Sequence, residues 1–467
     1  MVPDQERPRG DVSHRRVARP RAGGARRGDD RGGRRGVVPA DGEGRRGAEA
    51  APEKGRDAIR PLQVTALVAC VACACEPSAP REGAAPSNRA ASSAAAASPS
   101  SDKPTPPPPR ARAFPADRCG ECHDTLHAEW KTSAHAAARR SPLYVAMRER
   151  AKDPGCEACH APLAALTDPA EMAVDEGVTC EACHAIREVT EKGDRPQLSF
   201  DLEANRKFGP YCDAKDNYFH KMGCAPSFRE ARICGGCHAF SMPLGSGKSL
   251  PIFTEYAEWR ASSFSISGTA CQECHMPAEL THAATGAERK VRVGHHGFMG
   301  QGGEIIRKAL GIVASAAERA GKLEVSVVLK NEGAGHAVPS GMPGRQVVVR
   351  VEARDDAGPS QAREERVLGR VLVDDAGREV PFYAARAEKS DERIAAGGAR
   401  TFTFELDAPR AGSLVIEVAW RSASPAITAA LGVPAEERSM GRIEIPFGEK
   451  RAGKGREHLP KTVVIRP

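Results

Sequence analysis

Aromatic side chains are scarce in this chain: Phe, Tyr and Trp make up 4% of its 467 residues. A chain of this length has room for two or three domains and a sizeable core, but so few rings leave that core short of bulk. A basic body is missing too, once the net charge of +7 is localised. Residues 1–60 hold 16 Arg and Lys against 10 Asp and Glu, so that arm alone carries +6 and the remainder is almost neutral. Nucleic-acid binding thereby loses its main support and is not expected. Also absent is the βαβ pattern that would accompany a thioredoxin-like dithiol.

What the chain has in quantity is cysteine, 15 in all, and ten of these fall into one phrase repeated five times. The phrases are CGECH (Cys119 to His123), CEACH (Cys156 to His160), CEACH (Cys180 to His184), CGGCH (Cys234 to His238) and CQECH (Cys271 to His275). Two thiols three residues apart lie one helical turn from each other, so both can bond the vinyl groups of one porphyrin, and the following His is aimed at the iron. That is c-type haem attachment with a proximal His. Zinc would ask for paired CxxC units and has no need of that His. The expectation is five covalent haems c, bonded through Cys119, Cys122, Cys156, Cys159, Cys180, Cys183, Cys234, Cys237, Cys271 and Cys274, with His123, His160, His184, His238 and His275 as iron ligands. Porphyrin would then replace some of the missing aromatic bulk, and folding of the cysteine-rich half would depend on it.

Covalent haem attachment belongs to the export side of a membrane, so Cys70, Cys73, Cys75, Cys212 and Cys224 are read in an oxidising setting. Residues 1–60 are Arg, Gly and Asp without apolar periodicity, and read as a disordered arm or an over-extended start. Residues 61–75, with LQVTALVACVACAC behind Arg60, resemble a secretory signal peptide. Within them Leu67-Val68-Ala69-Cys70 is similar to a lipobox, with Cys73 and Cys75 as other cleavage sites. Residues 76–113 are Pro, Ala and Ser, a spacer that cannot pack a core. The plan is an exported protein, periplasmic or on the outer membrane or cell surface, tethered to the membrane by a lipid anchor. Cys212 and Cys224 flank His220, and a disulfide pinning that loop is expected.

The fold class is α+β and multidomain. Residues 114–303 form a loop-rich, mostly helical haem domain with short helices such as Ser141 to Ala151. Only 20 positions separate His160 from Cys180, so the second and third haems are expected close together and stacked. From Lys322 the apolar period becomes two. LEVSVVLKN, QVVVRVEARDDAG, VLGRVLVDDAGREV, TFTFELDAP, SLVIEVAW and GRIEIPF are strand-like, with Asp-Ala-Gly turns between some of them. Six or seven strands within residues 304–467 argue for an antiparallel sandwich, immunoglobulin-like by default.

Fourteen His are present and five are proximal ligands. Low-spin electron-transfer haems want a second axial His, and His127, His135, His220, His282, His295, His296 and His336 cluster around the phrases. Here EWKTSAH, GVTCEACH, KFGP followed by ICGGCH, EWRASSF followed by CQECHMP, and HGFMG resemble the multihaem cytochrome c family that includes the tetrahaem electron acceptor of hydroxylamine oxidation. GAGHAVPSGMPGR is similar to a His-containing loop of related multihaem proteins with a C-terminal β domain. The resemblance spans about Cys119 to Arg345 and implies distal roles for His135, His220, His296 and His336. His336 would reach back from the β domain to an iron. The chain departs from a four-haem pattern, and for the fifth iron His127, His282 and His295 compete, or that iron is open.

The expected function is electron transfer along closely packed, mainly bis-His haems, with other cytochromes or a membrane quinol-linked donor as redox partners. The alternative is a haem enzyme acting on a small nitrogen or sulfur oxyanion at one five-coordinate iron. Self-assembly into a filament is a third expectation. None of the five phrases is altered, which favours the carrier over the enzyme by analogy.

Overall fold

The computed structural model describes residues 113–466 apart from 165, 168–173, 194, 300–302, 356–361, 408–410 and 449–460. The arm, the signal-like stretch with Cys70, Cys73 and Cys75, and the spacer up to residue 112 lie outside the described residues. Ser100–Pro467 forms one compact unit.

Each phrase forms or borders a short helical turn: Ala116–Gly120, Glu157–His160, Cys180–His184, Arg232–Gly235 and Cys271–His275. The His backbone N–H closes the turn onto the first Cys carbonyl, at 2.9 Å for His123 to Cys119 and 2.9 Å for His238 to Cys234. Helices of four or five residues cannot stand alone in water, so these turns depend on what they pack against. The longest helix of this half, Pro142–Ala151, starts where expected: Ser141 Oγ accepts from Tyr144 N at 3.3 Å, and Pro142 occupies the first turn.

Strands were not expected in this half, yet it contains four two-stranded sheets. They are β1 (Ile186–Lys192) with β2 (Arg195–Phe200), β3 (Arg206–Gly209) with β4 (Lys221–Cys224), β5 (Phe240–Gly245) with β6 (Lys248–Phe253), and β7 (Ala278–His282) with β8 (Lys290–Gly294). The physical reason they escape a periodicity reading is visible in β1, whose buried positions are only Ile186 and Val189 and do not alternate. Cys212 and Cys224 are disulfide-bonded, twelve positions apart with Cα atoms separated by 4.6 Å. The bridge closes the loop between β3 and β4, which carries His220.

The C-terminal part comprises nine strands among the described residues: β9 (Leu310–Arg319), β10 (Lys322–Asn331), β11 (Gln346–Asp355), β12 (Ala362–Val373), β13 (Ala387–Asp391), β14 (Ala399–Asp407), β15 (Ala411–Arg421), β16 (Glu437–Gly448) and β17 (Lys461–Ile465). They build two sheets, β14-β10-β9-β17 and β13-β12-β11-β15-β16, antiparallel throughout. Six strands fall on the expected segments, and β9, β13 and β17 are additional. On β10 the alternation puts Leu323, Val325, Val327 and Leu329 inward. There they meet Val347, Val349, Leu414 and Ile416 of the other sheet in one aliphatic core. On the outer face Arg350 reaches Glu365 at 2.9 Å and Glu437 at 2.8 Å, and Arg421 reaches Glu437 at 2.7 Å.

The two halves are clamped by charged groups taken out of water. Arg370 on β12 is 5% exposed and donates to Ile252 O at 3.1 Å and Pro251 O at 2.6 Å, on β6 of the haem half, while its Nε meets Glu388 at 2.6 Å. Arg393 joins Glu258 at 2.8 Å, and Glu258 in turn accepts from Ala337 N at 2.9 Å. Apolar contacts add to this: Leu250 and Ile252 pack with Leu372 and Ala385, and Ala146 and Met147 pack with Ile427 and Leu431.

Removing the Arg370 guanidinium leaves backbone carbonyls of β6 without their donor. Arg370→Met is expected to cost roughly 3 kcal/mol, read by thermal unfolding of the haem-loaded protein, and an unchanged melting temperature would refute the clamp. Glu437 is held down at about 2, chiefly by its hydrogen bond to Arg350. A carboxylate depressed in the folded state contributes stability that is present above its unfolded value, about 4.3, and lost as pH falls toward 2. The acid limb of the stability curve should therefore shrink in Glu437→Gln, measured as melting temperature between pH 5 and pH 2.

Candidate functional site

All ten phrase cysteines and their five histidines line one cavity of ≈ 3510 Å³. That is several times the roughly 300–1,000 Å³ of an ordinary ligand pocket. The scarce aromatics are concentrated on its wall: three Trp, five Tyr and ten of the thirteen Phe line it, leaving only Phe402, Phe404 and Phe447 elsewhere. The cavity is thus apolar, flat-walled and studded with thiols and imidazoles.

The histidines are set for metal ligation by their second nitrogen. Nδ1 of His123 donates to Ala283 O at 2.6 Å, that of His160 to Ala138 O at 2.8 Å and that of His184 to Phe208 O at 2.7 Å. A carbonyl only accepts, so Nδ1 bears the proton and Nε2 keeps its lone pair. His296 does the same toward Gly294 O at 2.7 Å. Burial lowers His135 to about 3 and both His184 and His275 to about 4, so these rings are neutral, the form a metal requires.

Four of the five proximal rings face a second imidazole. Ring centroids are 6.4 Å apart for His123 and His220, 6.4 Å for His184 and His296, 6.4 Å for His238 and His135, and 6.3 Å for His275 and His336. Each second histidine comes from a different place: the disulfide loop, the segment after β8, the loop after the first phrase, and the loop between β10 and β11.

His160 is the exception: among the described residues no imidazole stands at that spacing from it, and its ring stacks instead on Tyr144 at 4.0 Å. The three histidines that compete for this iron in the sequence are engaged elsewhere. His127 Nε2 lies 3.1 Å from Asp117 with its ring on Trp130, His295 Nε2 lies 3.7 Å from Glu129, and His282 is exposed on β7.

Thiols of different phrases also meet. Cys119 stands beside Cys180, Cys159 beside Cys237, and Cys234 beside Cys271. The first phrase thus stands beside the third, the second beside the fourth, and the fourth beside the fifth. A buried carboxylate, Glu181 of the third phrase, is neutralised by Lys207 at 2.6 Å beside the first of these junctions. Neither Lys207 nor Tyr144 carries a signal in the sequence, since each lies far along the chain from the group it serves.

A family described as cytochrome c554 and c-prime matches residues 118–185, which contain the first three phrases. Among solved structures, the crystal structure of a penta-heme cytochrome c552 from Thermochromatium tepidum is similar with a TM-score of 0.59 at 21% identity, covering 72% of this chain and 99% of that one. The fold is that of a multihaem c-type cytochrome. No curated protein matches the chain. The family match ends before the fourth phrase, whereas the structural similarity extends over most of this cytochrome fold.

Proposed function

We propose that the chain is an electron carrier holding five covalent haems c, four of them closed by two imidazoles: His123 with His220, His184 with His296, His238 with His135, and His275 with His336. The observation that carries this reading is the ring spacing of 6.3–6.4 Å in all four pairs. Two nitrogens bonded to one metal at about 2.0–2.1 Å each, plus the ring radii, require roughly 6.3 Å between centroids. Stacked histidines in direct contact would stand closer, and unrelated ones would not repeat one value four times.

When bound, haem c supplies reversible one-electron exchange at iron without any bond made to a substrate. The residues do the rest. Ten thiols would hold the porphyrins, backbone carbonyls orient the imidazoles of His123, His160, His184, His296 and His336, and an iron closed on both sides would have no position left for a reactant. The thiol neighbours put the first phrase beside the third, and the second and fifth both beside the fourth. Among the described residues no helix is long and apolar enough to cross a membrane. Export, a lipid anchor at Cys70, and redox partners among other cytochromes or a quinol-linked donor remain parts of this proposal, drawn from the chain before residue 113 and from the chemistry of haem attachment.

His160 favours a second reading, in which one five-coordinate haem binds a small nitrogen or sulfur oxyanion. The two readings share a scaffold and differ at this position. Mass spectrometry of protein matured in a competent host should give five haems, and ferric spectra should show four low-spin irons and one high-spin iron. A colourless protein would sink both readings. Turnover of nitrite or a sulfur oxyanion at the high-spin iron would establish the second, and five inert low-spin irons would exclude it. His336→Ala should retain five haems and convert one further iron to high spin; an unchanged spectrum would remove His336 from the ligand set.

A further inference from the structure

The loop between β10 and β11 carries a second functional group besides His336. At its end Arg345 turns toward the cavity, where it is a wall residue. Its Nη1 donates to Ser340 O at 3.0 Å, and its guanidinium lies 5.5 Å from the centre of the Trp420 ring. Its Nε is buried without a hydrogen-bond partner, and no carboxylate in the described residues comes within ion-pair distance. Across the same wall, Glu255 at the start of the helix Glu255–Arg260 has a buried carboxylate oxygen that is equally unpartnered. Burial pushes Arg345 below its ordinary value, and Glu255 is the one neighbour whose charge opposes that shift.

A guanidinium with five donors cannot be deprotonated in a protein and is not left dry and unpaired without a destabilising cost. The missing partner must be anionic, planar enough to meet a two-pronged donor, and located in the cavity. A porphyrin bonded to these phrases brings two propionate carboxylates of that description. Arg is the side chain best suited to such bidentate recognition.

We propose that Arg345 binds a haem propionate carboxylate, so that the β sandwich sets the potential of a haem in this cavity by charge as well as through the His336 imidazole. This rests on the haem reading above. The positive charge favours the reduced, more negative state of that haem. Glu255 is close enough to act on Arg345 without forming an ion pair with it.

The test uses the full haem-loaded protein with 13C in the haem propionate carboxyls. In Arg345→Gln the haem count by mass should stay at five, which separates this inference from the haem reading itself. One midpoint potential should fall by about 59 mV, a tenfold change in its reduced-to-oxidised ratio for one electron. One labelled carboxylate band in the redox-difference infrared spectrum should move, a signature that a merely structural role would not produce. Arg345→Lys, which keeps the charge and loses the fork, should restore most of the potential while the band stays shifted, and serves alone if the Gln variant does not mature. Unchanged potentials, or no movement of a labelled band, would overturn the proposal. So would a free anion in this place, seen as a wild-type potential that responds to millimolar sulfate or phosphate and ceases to respond in Arg345→Gln.

Discussion

Ten thiols and ten imidazoles line one space, and the short turns that carry the thiols depend on what they pack against there. The turns bearing the phrases are four or five residues long, below the length at which a helix holds itself. Eighteen of the chain's few aromatic rings line the same space. In a protein of ordinary design those rings would pack on one another as a core. Here they form a wall, and flat, rigid, covalently held porphyrin is the partner that makes a core of them. The low aromatic content and the abundance of CxxCH are two sides of one design.

The sandwich solves a different problem. Its own core is aliphatic and closes without any cofactor, so it can fold as a fixed body against which the loop-rich half is assembled. Three kinds of contact join them: the Arg370 and Arg393 clamps, the apolar seams around Ile252 and Ile427, and the loop from Asn331 to Gln346 that projects His336 and Arg345 into the cavity. Asn331, fully buried, holds the base of that loop through its side-chain amide, which donates to His336 O at 2.8 Å and Ile394 O at 2.9 Å. The loop that carries His336 is thereby pinned at its base, where it leaves β10.

Legibility in the sequence followed how local each constraint is. Attachment chemistry needs five contiguous residues, so CxxCH could be read outright. The six strands with Val, Ile and Phe at alternate positions were readable for the same reason. β9 was not, because LGIVASAAER follows Leu310 and Ile312 on its inward face with Ala314 and Ala316, and Ala carries little strand preference. β13 is a charged edge strand, AEKSD, that alternation cannot reveal. Which thiols of different phrases stand side by side was not readable, because proximity along the chain is a poor guide to it. The His127, His282 and His295 alternatives could be separated only by finding what each already touches. Arg345 carries no signal of its own within the GAGHAVPSGMPGR loop, since an arginine reads as a solvated charge until its surroundings are known.

The distinction between a carrier and an enzyme reduces to the surroundings of one ring. His160 is held on its Nδ1 side by Ala138 and on its face by Tyr144, so its orientation is fixed as firmly as that of the four paired histidines. Burial pushes Tyr144 up to about 12, and it remains a neutral phenol across the physiological range. Glu157 beside it is already taken by Arg139 at 3.0 Å and Arg148 at 2.9 Å. The carboxylate of this phrase is therefore committed to structure, and it is no free base for proton delivery. An open iron site needs both a vacant position and a proton source to reduce an oxyanion. Around His160 the chain positions groups that order the ring, and electron exchange asks for no more than that.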